Sequence, residues 1–202
     1  MIKFFAYIII ILSAVIHEYA HGWAAYQLGD STAKDEGRLT LNPLAHMDLW
    51  GTIIIPLFLL FTSGIFIGWA KPVPYNPYKL RDLKHGTLKV AAAGPGVNLL
   101  IAFSLGLILR FLTPFLADYN YNLPFFIGFI IYVNIFLALF NLLPFPPLDG
   151  SKIFADLFPN QWHNLMRLGM TGIFLALIFA FMFLSPIASF VFRLIVGQNF
   201  IF

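Results

Sequence analysis

The sequence predicts an all-α membrane protein: a polytopic bundle of five or six transmembrane helices with a short interfacial hairpin or loop. Three observations carry this. The 202 residues are 60 % hydrophobic and only 10 % charged, with 24 Phe, where a soluble domain holds about 25 % charged residues. Apolar runs of span length recur along the chain, separated by proline-rich and charged stretches. The net charge of +3 sits in loops between those runs, which reads as membrane-flanking charge and excludes a nucleic-acid surface. The length fits one integral-membrane domain over 1–202, multi-pass in the cell membrane, without repeats or low-complexity tracts. With no Cys, disulfides and thiolate metal ligands are excluded.

The first helix is expected from Phe4 to about Leu28, apolar or aromatic except at residues 17–21, Ser13 and Gln27. Its length of roughly 38 Å crosses a bilayer with tilt. Met1-Ile2-Lys3 with the following run resembles the start of a signal peptide, but the apolar pattern continues through Trp23 to Tyr26 without a cleavage site, so the segment is expected to be retained. Gly29-Asp30 is a plausible stop. Alternation around Arg38–Leu41 suggests a short strand or hairpin at the interface. A second span covers about Leu49 to Ile67 with a kink at Pro56, and Gly68–Pro77 cannot be helical because its three prolines remove donors and fix φ.

A third span is expected from about Leu88 to Leu112, bent at Pro95 and carrying small residues that permit close helix approach. The fourth, about Leu123 to Leu143, holds Asn134 and Asn141 at i, i+7 and ends at Pro144-Phe145-Pro146-Pro147-Leu148-Asp149-Gly150. The last run, Leu168 to Val196 with Pro186 inside, is either one long kinked helix or a span plus a half-span.

Polar residues inside such spans mark function, because each costs a few kcal/mol in hydrocarbon unless compensated. His17-Glu18-Tyr19-Ala20-His21 is an H-E-x-x-H motif in the first span. On a helix the two His share a face and can ligate one zinc ion, and Glu18 lies beside it as a general base for hydrolysis. With 5 His and 2 Glu in the chain, such a motif arises by random placement with a chance of about 0.1 %.

A catalytic zinc takes three protein ligands and keeps one position open. His46, His85 and His163 lie in polar loops, and Glu36, Asp30, Asp35, Asp48, Asp82 and Asp118 read as surface charge. Asp149 differs, being flanked by apolar residues just after a span, where irregular backbone is tolerated only if buried or lining a cavity. Local sequence leaves metal ligand and helix N-cap equally open for it, and the need for a third ligand favours the former. Asn98, Asn134 and Asn141 are candidates either for holding an unwound substrate strand by edge pairing or for joining helices.

The motif residues His17–His21, Gly37–Pro43, Gly68–Pro74, Ala93–Asn98 and Asn141–Gly150 together resemble the site-2 protease family of intramembrane zinc metalloproteases. The blocks span about two thirds of the chain. The resemblance implies His17, His21 and Asp149 as ligands of one Zn2+, Glu18 as general base, and the Asn141 region as part of a surface for transmembrane protein or peptide substrates. Ser151 stands where members often have a second Gly, and the chain has no room for the PDZ or nucleotide-sensing domains of many relatives.

Orientation draws two opposed readings. With alternating spans, eight Lys and Arg fall on the N-terminal side against four on the other, which favours a cytoplasmic N-terminus; the resemblance implies the reverse and is preferred. The rival functions are an inactive zinc-binding membrane protein, a transporter-like bundle and a purely structural one. Transport calls for ionisable residues along several spans, and only the first offers them. Oligomeric state is left open.

Overall fold

A computed structural model describes residues 2–62, 68–160, 167–169 and 171–197. His163, one of the loop histidines weighed as a ligand, lies outside them. The described residues are helical or irregular, with no strand. Four helices are long and apolar enough to cross a membrane: Lys3–Gln27, Gly86–Tyr119, Leu123–Asn141 and Thr171–Val196, with a shorter apolar helix at Leu49–Leu59. The polytopic helical class is as expected. The span count among the described residues is four, one below the lower expectation, because the second run, Leu49 to Ile67, is helical only to Thr62 before residues 63–67, which are not described.

The chain forms two compact units, Met1–Gly94 and Pro95–Phe202. In the first, α1 (Ile2–Gln27) buries Ser13, His17, His21 and Ala25 at four-residue spacing, which puts them on one face. Phe4, Ile8 and Leu12 are exposed at the same spacing. That outward apolar stripe suits hydrocarbon. Gly29, at φ 105°, ends the helix in a conformation open mainly to glycine.

Two short helices follow, α2 (Thr32–Asp35) and α3 (Pro43–His46). The strand expected around Arg38–Leu41 is absent: Gly37, at φ 67°, turns the chain, and Arg38 and Leu39 both donate their N–H to Ala33 O. Those two donors are spent locally and are not available for a ladder. Asn42 caps α3 by accepting from Leu44 N at 3.1 Å. A π-helical segment, Leu49–Ile54, is capped by Asp48 and runs into α4 (Ile55–Thr62).

Gly68–Asn76 forms an extended strap, as its prolines require. Trp69 N donates to Gly51 O and Lys71 N to His46 O, both at 2.9 Å. Arg38 Nη2 donates to Lys71 O at 2.9 Å, and Asn76 N to Asp30 Oδ2 at 2.6 Å. Asp30 and His46 therefore differ from their expected roles as surface charge and solvated loop residue. Both are almost fully buried, because the strap folds back over them and uses their acceptors. Asp30 also accepts from Thr32 N and Thr32 Oγ1, and His46 Nε2 lies 2.7 Å from Thr40 O.

The long helix α5 (Gly86–Tyr119) runs unbroken through Pro95 and Pro114, and the boundary between the units falls within it, just before Pro95. In the second unit it is followed by α6 (Leu123–Asn141), α7 (Asp149–Leu157), α8 (Thr171–Phe179), a π-helical turn at Ala180–Leu184, and α9 (Ser185–Val196). The last run is thus one 26-residue helical stretch. Its π turn lies just before Pro186, as the π segment at Leu49–Ile54 lies just before Pro56, so each proline falls where the helical ladder is already broken.

The core of this unit joins Ala102 and Leu109 of α5, Ile131 and Ile135 of α6, and Ala188, Phe192 and Val196 of α9. In lipid, helices associate by close packing and not by escape from water. Gly106 shows this: a Cβ there would lie 2.3 Å from Ile195 Cγ2, so only glycine lets α5 and α9 approach so closely.

Candidate metal centre

The first unit brings two candidate metal ligands together. Four-residue spacing on α1 brings His17 and His21 edge to face, ring centroids 4.7 Å apart, with their Nε2 atoms at 3.0 Å and both rings buried. His21 Nδ1 is 2.7 Å from Val90 O. A carbonyl only accepts, so Nδ1 carries the proton and Nε2 holds its lone pair toward His17. A backbone carbonyl that fixes the tautomer in this way is the usual companion of a metal-ligating imidazole.

Space for an ion beside the pair is kept by Gly94. A Cβ there would lie 2.4 Å from His21 Nε2 and 2.5 Å from His17 Nε2. At this position α5 therefore carries no side chain to occupy that space. Two convergent imidazole nitrogens in a cradle that a methyl group would fill fit a zinc ion, whose bonds to imidazole are about 2.0–2.1 Å long.

Glu18 is half-buried beside the pair, and its Oε2 accepts from Val73 N at 2.8 Å. The strap thus reaches the carboxylate predicted to be the base. Val73 is itself buried, its Cγ1 against Gly22 one turn along α1 from Glu18.

Asp149 lies in the second unit. It is buried, as the first residue of α7. The N-cap of α7 is Leu148, so the alternative role as cap does not describe Asp149. Its Oδ1 accepts from Lys152 Nζ at 3.1 Å. Gly150 permits the turn, since a Cβ there would lie 2.2 Å from Leu142 O. Ser151, the departure from the family pattern, is accommodated: its hydroxyl donates to Leu148 O at 2.6 Å.

The asparagines divide. Asn98 Nδ2 donates to Asn134 Oδ1 at 2.9 Å, and Asn134 Nδ2 to Ile130 O at 2.9 Å, both side chains fully buried between α5 and α6. That is the helix-joining arrangement. Asn141, half-buried at the end of α6, donates to Leu137 O at 3.0 Å.

Outside the spans, burial pushes the Asp30 carboxyl up, but hydrogen bonds from Thr32 and Asn76, with Lys79 nearby, outweigh it and hold the group below its ordinary value. Asp82 is drawn down to about 2, chiefly by the His85 N–H and then by Lys89, at 2.7 Å.

Sequence reasoning missed Val90, Gly94 and Val73. Val90 and Val73 act through the backbone, which leaves no side-chain signal. Gly94 was visible as one small residue among several and as part of the Ala93–Asn98 block, without a role of its own.

Buried paired imidazoles and an adjacent carboxylate on a helix long and apolar enough to cross a membrane are the arrangement that an H-E-x-x-H zinc metalloprotease requires. Comparison with known proteins agrees. The family model for peptidase family M50 matches residues 116–185. "Putative zinc metalloprotease YwhC" of Bacillus subtilis is 39% identical over 189 residues, covering 91% of this chain and 82% of the relative. "Putative zinc metalloprotease Rip2" of Mycolicibacterium smegmatis is 30% identical over 141 residues, 69% of this chain and 52% of the relative. Its namesake in Mycobacterium tuberculosis is 28% identical over 178 residues, 87% and 65%. No solved structure matches at a significant level. The chain belongs to peptidase family M50, the site-2 protease family.

Proposed function

We propose that this enzyme cleaves peptide bonds in or near transmembrane segments of membrane-protein substrates in the cell membrane, both units serving one protease. The observation that carries this is the pair of buried Nε2 atoms, 3.0 Å apart on a 26-residue apolar helix. A metal-ligating pair within a span is suited to a bond that is itself in the membrane.

In this reading His17, His21 and Asp149 hold one zinc ion and Glu18 is the general base. When bound, zinc supplies Lewis-acid polarisation of a carbonyl and acidifies water. His17 and His21 would hold the ion through their Nε2 atoms, and Val90 O keeps the His21 proton on Nδ1. Lys152 holds one oxygen of Asp149 and so limits its rotation. Glu18 takes a proton from the attacking water and returns it to the leaving amine. A substrate helix hides its carbonyls in hydrogen bonds, so it unwinds before attack, and Asn141, half-buried at the end of α6, is the residue that we assign to pair with the exposed strand. Asn98 and Asn134 can do so only by exchanging their mutual bond.

The test is cleavage of a model transmembrane substrate in liposomes by wild type, Glu18→Gln and Asp149→Ala, with zinc measured in each. Glu18→Gln is expected to keep zinc and lose roughly 100- to 10,000-fold in rate, and Asp149→Ala to lose zinc. Cleavage that survives Glu18→Gln or a chelator would end the protease reading. Cleavage confined to soluble peptides would end the intramembrane one, and bound zinc without cleavage of any substrate would favour an inactive binding protein.

A further inference from the structure

We infer that Val73 is a positioning residue for Glu18: the strap aims the catalytic carboxylate through one backbone N–H. This rests on Glu18 being the base.

The sequence Pro72-Val73-Pro74 offers a single N–H, since proline has none. That one donor meets Glu18 Oε2 at 2.8 Å. Both Lys71 and Val73 precede a proline, which restricts them to extended conformations, so the donor is held stiffly. The strap is tied on either side, by Lys71 N to His46 O and Arg38 to Lys71 O before Val73, and by Asn76 N to Asp30 after it. Its height above α1 is set by Gly22, where a Cβ would lie 2.9 Å from Val73 Cγ1.

A glutamate side chain has three rotatable bonds. A hydrogen bond from a fixed amide removes that freedom and holds one oxygen, so that the other is presented reproducibly to the reacting water. Misplacement of a catalytic group by about 1 Å costs on the order of 100-fold. The strap is non-helical at a site beside a membrane helix, and between Pro72 and Pro74 its prolines leave a single donor, the one that Glu18 accepts.

Three variants separate the N–H from the side chain. Val73→Pro deletes the donor in a segment already extended by its neighbours. A backbone ester at residue 73 deletes the same donor and keeps the valine side chain. Gly22→Leu leaves the donor in place and lifts the strap. Each is expected to lower kcat at least tenfold with KM and zinc content near wild type, whereas Val73→Ala, which retains the N–H, loses less than threefold.

Combined with Glu18→Gln, the Val73 ester costs nothing further, as expected if it acts only through the carboxylate. Independently of activity, hydrogen exchange at the Val73 amide of the metal-free protein is slow in wild type and faster in Glu18→Ala. Wild-type kcat in the Val73 ester, or an ester effect of equal size in the Glu18→Gln background, overturns the inference while leaving the base assignment intact. A rise in kcat shows instead that the strap obstructs the base. Activity in Glu18→Gln itself overturns the reading on which it rests.

Discussion

Gly94→Ala tests the metal centre most directly, because it adds one methyl group and removes nothing. That methyl would lie 2.4 Å from His21 Nε2, 2.5 Å from His17 Nε2 and 2.6 Å from His17 Cε1, where ordinary contact begins near 3.4 Å. The nitrogens or α5 must therefore retreat by about 1 Å (3.4 − 2.4). Zinc–nitrogen bonds tolerate about 0.2 Å, so the required shift is several times what coordination allows. Disturbing groups that only orient a ligand costs about 10- to 100-fold in metal affinity. Displacing both ligands is expected to cost at least 100-fold, or about 2.7 kcal/mol at 1.36 kcal/mol per decade. Helix propensity acts the other way, since Ala is favoured over Gly by about 1 kcal/mol in a helix interior. The metal-free protein should thus keep its helicity while losing zinc. The assay is zinc content by mass spectrometry across a chelator titration in detergent, with circular dichroism as the fold control. A Gly94→Ala protein that binds zinc within threefold of wild type would refute the reasoning.

Further outcomes follow from other sites. Asp30→Ala leaves the N–H groups of Thr32 and Asn76 without their buried acceptor, and is expected to cost about 2–4 kcal/mol, read as loss of thermal stability in detergent. The Asp30 carboxyl is held below its ordinary value of 3.8. Its contribution is therefore complete above that pH and is lost as pH falls through the lower folded value. The stability gap between wild type and Asp30→Asn should close over that acid range, as seen in unfolding at a series of pH values. Asn98→Ala removes the bond to Asn134 between α5 and α6 and should cost about 0.6–1.7 kcal/mol, measured by equilibrium unfolding in mixed micelles. Gly150→Ala sets a methyl against the Leu142 carbonyl, 2.2 Å away, and should prevent accumulation of folded protein in the membrane, scored by protease resistance.

The parts of the molecule differ in how legible they were. The H-E-x-x-H residues were read correctly as a pair on one face because helical geometry alone fixes the i, i+4 relation. Gly68–Asn76 was rightly read as non-helical because proline acts through its own covalent structure, whereas Pro77, the last residue of that expectation, opens a one-turn 3-10 helix, Pro77–Lys79. Arg38–Leu41 was misread as a strand, since its alternation is real but Gly37 turns the chain and Ala33 O takes the donors. Asp30 and His46 were misread as surface residues, because a polar residue in a loop is normally solvated. Burial came from a strap some 25 to 45 residues further along. Asn98 and Asn134 carried two readings, and the 2.9 Å bond between them is the helix-joining one.

By itself the sequence determined the solvent and the chemistry. Hydrophobic runs of span length admit only a bilayer, and two imidazoles with a carboxylate at i, i+1, i+4 on such a run have few uses besides a metal. Those are properties of composition and of a single helix. Tertiary structure alone decided how the groups are held. The tautomer of His21 depends on the carbonyl of Val90, room at the ligating nitrogens on a glycine of α5, and the aim of Glu18 on an N–H of the strap. Each of these is a backbone group or a missing side chain. Side-chain identity along a sequence cannot announce them, because what matters is where folding puts the main chain.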